Sequence, residues 1–347
     1  MTGPVVVVGA GAWGTALAVQ VTRAGHPVRL WVFEAELLEL IRRTRENPWY
    51  LPGIRLPDGV QAVGALRDAL AEARVVILAV PSHVLRAVAV ELAPGLRADA
   101  VVVSAAKGLE EERLLRMTEV LHETLPVGAR GRVVALSGPT FALEVGEARP
   151  TAAVLASPDA GLARELQALL ATPTFRLYTR ADVVGTELGG ALKNVMAIAA
   201  GIADGLELGA NARAALLTRG LAEITRLGVA LGARPRTFAG LAGLGDLILT
   251  CTGALSRNRR LGLALARGQS LEDWQAGTRS VAEGVRTARA AVELARRTGV
   301  AAPITQEVGA VLFAGKAPRE ALTALLARET RPEEEPEDLL AGPSSPA

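Results

Sequence analysis

Five short runs of apolar, mostly β-branched residues punctuate the first half of this chain, at Pro4–Val8, Val28–Val32, Arg74–Val80, Ala100–Ser104 and Arg132–Ser137, and helical patterns such as Ala12–Ala24 lie between them. Uninterrupted apolar strands separated by helices bury both of their faces, which is the habit of a parallel sheet in a doubly wound α/β domain. The strand signal stops at about Asp182. From there to about Arg328 the text is rich in Ala and Leu, with Gly and Pro confined to punctuation, so the second domain is expected to be all-α. The expected organisation is an α/β Rossmann domain over 1–181, an all-α domain over 182–328 and a disordered tail over 329–347. The tail contains Pro-Glu-Glu-Glu-Pro-Glu-Asp, a composition that cannot build a core.

Composition removes several function classes. With 347 residues, half of them apolar, and 38 basic against 36 acidic groups, the chain can fill two cores and lacks the Lys/Arg blocks that track nucleic-acid phosphates. Cys251 is the only cysteine, so an intramolecular disulfide is excluded, no thiolate metal site is expected, and a reducing cytoplasm fits. No apolar run reaches the roughly 18 residues of a membrane span. The apolar N-terminal stretch Val5–Val21 lacks a basic leader and carries glycines at turn spacing, which reads as a buried strand and helix rather than a signal peptide.

The glycine pattern is the most specific local signal. Gly9-Ala10-Gly11-Ala12-Trp13-Gly14 directly follows the first strand and opens the first helix, as a dinucleotide site requires. Gly9 permits the tight turn, Gly11 lets backbone approach a pyrophosphate, and Gly14 lets helix and strand pack closely. Trp13 points either into the cofactor cleft or into the core. At the end of the second strand Phe33 is followed by Glu34, which is either the acid that binds the ribose hydroxyls or a solvated helix-start residue.

Strand ends supply the next candidates, because in an open α/β sheet the carboxyl ends of strands face the ligand crevice. His83 follows one such strand, as a proton-transfer group or a crevice-edge histidine. Lys107 follows another, where an anionic substrate or a nicotinamide would lie, and Gly138 with Thr140 follows a third.

Only Lys107, Lys193 and Lys316 among the basic residues are lysines, and arginine cannot surrender a proton. Lys193 stands in an otherwise apolar helical stretch, where it is either a buried ammonium whose pKa is drawn toward a useful value or a lysine snorkelling from the helix edge. Asp246, in apolar surroundings, needs a cation. Ser256-Arg257-Asn258 is a compact donor cluster suited to a phosphate, with an interdomain salt bridge as the plainer alternative.

With these motifs assembled, the chain resembles the bacterial-type NAD(P)-dependent glycerol-3-phosphate dehydrogenases. The similarity runs in order over about residues 4–328, through Gly-Ala-Gly-Ala-Trp-Gly-Thr-Ala-Leu, Val-Pro-Ser-His, Ala-Lys-Gly-Leu-Glu, Ser-Gly-Pro-Thr-Phe-Ala, Leu-Lys-Asn-Val, Gly-Ala-Asn-Ala-Arg, Gly-Leu-Gly-Asp-Leu, Thr-Cys-Thr and Ser-Arg-Asn-Arg. The resemblance implies reduction of dihydroxyacetone phosphate to sn-glycerol 3-phosphate for glycerophospholipid synthesis, in the cytoplasm, as a homodimer. It implies Lys193 as the proton-transferring residue. Lys107, Gly138, Thr140, Asp246, Ser256, Arg257 and Asn258, with Lys193, then form the substrate set. Ala12, Trp13, Phe33, Tyr50, Lys107, Ala142, Arg257, Val281 and Glu283 join Gly9, Gly11, Gly14 and Glu34 at the cofactor. Family habit favours NADP(H). Relatives that prefer it often carry Arg or His where this chain has Phe33, so NAD(H) is expected to serve as well. Another two-domain hydride-transfer dehydrogenase would lack the Ser256–Asn258 phosphate cluster, and a non-catalytic dinucleotide sensor would have no use for Lys193.

Overall fold

The structure is a computed structural model and describes residues 3–277, 283–330 and 332–333. The five expected strands form, each within one or two residues of its predicted limits, and three more join them in one sheet. In chain order they are β1 (Val5–Val8), β2 (Val28–Trp31), β3 (Val60–Val63), β4 (Val75–Leu78), β5 (Val101–Ser104), β6 (Val133–Ser137), β7 (Thr151–Ala156) and β8 (Phe175–Arg180). Their spatial order is β8-β7-β6-β5-β4-β1-β2-β3. The chain winds outward from β1 through β2 to β3, then crosses to the other side and winds through β4, β5 and β6. The strand order therefore reverses between β1 and β4, which is where α/β sheets bind ligands.

The expectation of a parallel sheet needs one correction. β1 to β6 pair in parallel, whereas β7 runs antiparallel to β6, and β8 is parallel to β7. Parallel pairing buries both faces of the central strands, and all four residues of β1 are buried. The helix α1 (Ala12–Arg23) packs along the short helix Ala142–Gly146, where the Arg23 guanidinium donates to the carbonyl of Val145 at 2.9 Å.

The chain divides into two compact units: residues 3–107 with 117–183 form the sheet unit, and residues 108–116 join the chain from Val184 onward in the second. The segment 108–116 belongs there because Leu109 and Leu114 lie in the helical core and Arg116 pairs with Glu187 at 2.8 Å. The expected tail over 329–347 falls almost entirely outside the described residues.

The helical unit is built from α2 (Val183–Gly205), α3 (Gly209–Ala230), α4 (Asp246–Thr252), α5 (Arg257–Ala266), α6 (Glu283–Thr298), α7 (Pro303–Phe313) and α8 (Pro318–Leu326), with shorter turns between them. α2 is buried along nearly its whole length. It crosses α5 so closely that a β-carbon at Gly262 would lie 2.0 Å from the carbonyl oxygen of Ile198. Among the described residues, no helix is long and apolar enough to cross a membrane.

Candidate active site

In the sheet unit the glycine loop has the geometry its sequence predicts. Gly9 has φ +108°, and a β-carbon at Gly14 would stand 1.9 Å from the Gly9 carbonyl oxygen, so a side chain at either position is refused. At Gly11, by contrast, a β-carbon would meet nothing within 4 Å. The loop is thus tight on its inner side and open on its outer side, where backbone N–H groups at the α1 N-terminus can meet a diphosphate. The first turn of α1 carries no acidic residue to oppose that charge. Ala12, Trp13, Tyr50 and Ala142 all pack, partly buried, against the core of this unit. The Trp13 Nε1 is buried with no hydrogen-bond partner among the described residues, an unsatisfied donor of the kind a bound ligand would satisfy. These features fit a dinucleotide.

At the end of β2, Phe33 is 78% exposed, its ring 5.9 Å from that of Trp31. Glu34 is drawn to Tyr50, whose hydroxyl donates to its carboxylate at 2.9 Å. Two nearby arginines are engaged elsewhere. Arg29 donates to the carbonyls of Ala69 and Ala71, and Arg42 to Glu39 at 3.0 Å.

Lys107, Gly138 and Thr140 come together at the ends of β5 and β6. The Lys107 ammonium donates to the Gly138 carbonyl at 2.8 Å and to Thr140 Oγ1 at 3.3 Å. Gly138 adopts φ +133°, which turns the chain sharply away from the strand. Two hydroxyls beside them escaped the sequence reading. Ser104 Oγ ends β5 and Ser137 Oγ ends β6, and both are buried without a partner among the described residues. His83 is exposed in the turn Ser82–Val84.

The helical unit buries the second lysine. Lys193 lies in the middle of α2 at 6% exposure, and Asp246, at the start of α4, at 0%. Their side chains form an ion pair, and the Lys193 ammonium also donates to Thr250 Oγ1 at 2.8 Å. Thr250 in turn donates to the Asp246 backbone carbonyl at 2.6 Å. Thr250 was not singled out from the sequence. Its signal is its place one helical turn after Asp246, which puts both side chains on one face. A five-residue π-helical turn, Leu241–Gly245, leads into α4, the kind of local irregularity that recurs at functional sites. Cys251, next along, is fully buried, and that burial pushes its thiol up to about 12, so it stays protonated and chemically quiet.

The three donors Ser256, Arg257 and Asn258 do not share one face. Ser256 caps α5, its hydroxyl accepting from the Arg259 amide at 3.3 Å. Asn258 turns inward, donating to Asn194 at 2.9 Å and accepting from the Gly284 amide at 3.0 Å. Arg257 alone is exposed, and Glu283 at the start of α6 and Arg260 are its charged neighbours. Val281 lies outside the described residues. Among the described residues, no group of His, Cys, Asp and Glu is arranged to hold a metal.

Comparison with known proteins agrees with this geometry in both units. The family model for the N-terminal part of NAD-dependent glycerol-3-phosphate dehydrogenase matches residues 4–163, and the model for its C-terminal part matches residues 182–323. The chain is 53% identical over 331 residues to a glycerol-3-phosphate dehydrogenase [NAD(P)+] of Koribacter versatilis, covering 95% of this chain and 98% of that protein. It is 51% identical over 327 residues to the protein of that name from Syntrophotalea carbinolica, covering 94% and 98%. A crystal structure of glycerol-3-phosphate dehydrogenase from Coxiella burnetii superposes with a TM-score of 0.89 at 38% identity, over 94% of this chain and 99% of that one.

Proposed function

This chain belongs to the NAD-dependent glycerol-3-phosphate dehydrogenase family, and from that premise we propose which of its residues run the reaction. The enzyme interconverts dihydroxyacetone phosphate and sn-glycerol 3-phosphate. Bound NAD(P)H supplies the hydride that reduces the carbonyl carbon. Lys193 gives a proton to the carbonyl oxygen as it becomes a hydroxyl, and in the reverse direction takes that proton back. Asp246 compensates the buried ammonium, and Thr250 fixes its position; without them a charge at this depth would cost several kcal/mol. That buried ion pair is the observation that carries the assignment.

Lys107, Gly138 and Thr140 hold the substrate's polar end. Arg257, with Ser256 and Asn258 shaping the first turn of α5, takes the phosphate at a helix N-terminus. Gly9, Gly11, Ala12, Trp13 and Gly14 receive the diphosphate, and Phe33, Glu34 and Tyr50 the adenosine. Lys107, Ala142, Arg257, Val281 and Glu283 complete the cofactor contacts. The dinucleotide domain is assigned to 1–181, apart from residues 108–116 that pack with the helical unit, and the substrate domain to 182–328; the spans of the two family models support this division. The protein is placed in the cytoplasm as a homodimer supplying glycerophospholipid synthesis, a reading that rests on its family and is open to light scattering and complementation.

The assignment of Lys193 is tested by following oxidation of NADH and NADPH with dihydroxyacetone phosphate. Lys193→Ala should fold and bind cofactor yet lose turnover by about 10² to 10⁴, the usual worth of a general acid–base. Lys193→Arg should be as poor, since guanidinium keeps its proton. Turnover like that of wild type in either variant removes Lys193 from the mechanism.

A further inference from the structure

A buried amide stands directly behind the glycine loop. Asn47 is wholly buried in the sheet unit. It ends the strand Glu46–Asn47, which pairs antiparallel with Leu51–Arg55 around a turn of Pro48, Trp49 and Tyr50. Its Nδ2 donates to the Ala10 carbonyl at 2.7 Å and to Thr15 Oγ1 at 2.8 Å, and its Oδ1 accepts from the Tyr50 amide at 3.1 Å. One side chain thus ties this turn to a loop 37 residues earlier.

The contact to Ala10 has a directional consequence. Ala10 precedes the helix cap Gly11, and the Thr15 amide donates to the Gly11 carbonyl at 3.0 Å, one residue too late to use the carbonyl of Ala10. That buried carbonyl is met by side chains instead, by Asn47 and, at 3.4 Å, by the Thr15 hydroxyl. In a planar trans peptide the C=O and the following N–H point in opposite directions. Holding the Ala10 carbonyl inward, against fully buried Asn47 and Thr15, therefore aims the Gly11 N–H out of the packed interior. Gly11 is unobstructed, since a β-carbon there would meet nothing within 4 Å. An outward N–H at the start of α1 is the donor a diphosphate needs.

The other end of the same amide reaches the ribose side. Tyr50, whose backbone N–H is held by Asn47, donates through its hydroxyl to the Glu34 carboxylate at 2.9 Å. The glycine loop and that carboxylate are thus connected through Asn47 and Tyr50.

We propose that Asn47 is a positioning residue for the dinucleotide: its amide orients the Ala10–Gly11 peptide so that the Gly11 N–H meets the diphosphate, and it holds the Tyr50 turn at a set distance from that loop. The proposal rests on the reading of the glycine loop as the dinucleotide site. Asn47 acts through Ala10 and Tyr50 and does not itself touch the ligand.

Titration calorimetry of the full chain with NADH and ADP-ribose tests this, with urea unfolding on the same preparations. Asn47→Ala should weaken both ligands at least about tenfold at temperatures where the variant is folded. Asn47→Asp keeps the acceptor that faces the Tyr50 amide and loses both donors, so it should bind NADH no better than Asn47→Ala. In steady-state assays the loss should fall on the KM for NADH, with kcat at saturating NADH held within about twofold. A purely structural role would lower stability alone, so folded variants that bind NADH like wild type overturn the proposal. Wild type supplies a second test, which decides alone if the variants do not fold. Inorganic diphosphate lacks the adenosine that would reach Tyr50, yet by fixing the loop it should slow hydrogen exchange at both the Gly11 and the Tyr50 amides. Protection at Gly11 without protection at Tyr50 overturns the coupling, and protection at neither removes the Gly11 N–H from the diphosphate and overturns the proposal as well. If wild type binds neither NADH nor ADP-ribose, the dinucleotide site itself is misread; if wild type and both variants bind them equally, the site stands and the role of Asn47 falls.

Discussion

A β-carbon at Gly189 would lie 2.5 Å from the carbonyl oxygen of Ala242, so α2 and the turn leading into α4 meet backbone to backbone. One helical turn after Gly189 comes Lys193, and four residues after Ala242 comes Asp246. The glycine contact therefore sets the spacing at which the buried ion pair forms. Larger residues at 189 must push the two segments apart. Gly189→Val is expected to destabilise the protein by about 1–3 kcal/mol through overpacking and to lower turnover more than it lowers cofactor affinity. Denaturant unfolding and steady-state kinetics on the same preparation check both parts; unchanged kcat in a destabilised variant would separate the contact from the site.

Breaking the pair and replacing it should behave differently. Asp246→Ala leaves the Lys193 charge buried and uncompensated, at a cost of about 3–5 kcal/mol, whereas the double variant Lys193→Met/Asp246→Leu exchanges both charges for apolar groups and should regain most of that stability. Both should be inactive. If the double variant is no more stable than Asp246→Ala, the pair contributes through packing and not through charge compensation.

Much of this site could be read from residue order, because its parts are local. The glycine loop announces itself by spacing alone, and Lys193 stands out as one of the few lysines in an arginine-rich chain. What the sequence could not disclose is long-range pairing. Asp246 needed a cation, but nothing in its neighbourhood names a residue 53 positions away. Ser256, Arg257 and Asn258 look like one cluster in the text and turn in different directions in space, since α5 begins among them and a helix rotates about 100° per residue. Among the strands, β7 reads Thr-Ala-Ala-Val-Leu-Ala, whose alanines suit a helix equally well, and its antiparallel run beside β6 is a matter of connection, not of local pattern. β3 is short and carries Gln61 among its apolar residues, so it lacks the continuous signal of a central strand.

Arg257 is the exposed member of that trio, so substrate phosphate recognition should depend on it far more than on its neighbours. Arg257→Ala is expected to raise KM for dihydroxyacetone phosphate by about 10- to 150-fold, equivalent to a charge-assisted bond of about 1.5–3 kcal/mol. Ser256→Ala should instead cost about 1 kcal/mol of stability through loss of the α5 cap. A KM effect of Ser256→Ala as large as that of Arg257→Ala would put the hydroxyl on the phosphate as well.

Glu223 couples stability to pH. Burial pushes its carboxyl above the usual range, and its bonds to Ile304 and Thr305 and the nearby Arg226 only partly offset that. Because the native state holds this proton more tightly than the unfolded chain does, the group's contribution is fully present below the unfolded pKa, near 4.5, and is lost as pH rises through the raised native value. Wild type minus Glu223→Gln, measured by urea unfolding across that window, should therefore become less favourable with rising pH. A difference that is flat, or that grows with pH, contradicts the raised carboxyl.

Cofactor choice turns on the end of β2, where the structure sharpens what the sequence suggested. Phe33 projects an exposed ring where a cation would meet a 2′-phosphate, Glu34 adds a carboxylate held by Tyr50, and Arg29 and Arg42 are bound to carbonyls and to Glu39. A 2′-phosphate carries up to two negative charges and meets no prepared partner among these residues, while Glu34 can serve the ribose hydroxyls of NADH. Both cofactors should work, with a preference of about 1–2 kcal/mol, or roughly 5- to 30-fold. Phe33→Arg supplies a guanidinium at an exposed position and should shift kcat/KM toward NADPH by about 1.5–3 kcal/mol. Glu34→Gln should move it in the same direction by a smaller amount, since it removes repulsion without adding a partner. The ratio of kcat/KM for the two cofactors decides the matter. If wild type already prefers NADPH far beyond 30-fold and neither variant changes the ratio, the 2′-phosphate is read by a residue elsewhere and the end of β2 is not the selector.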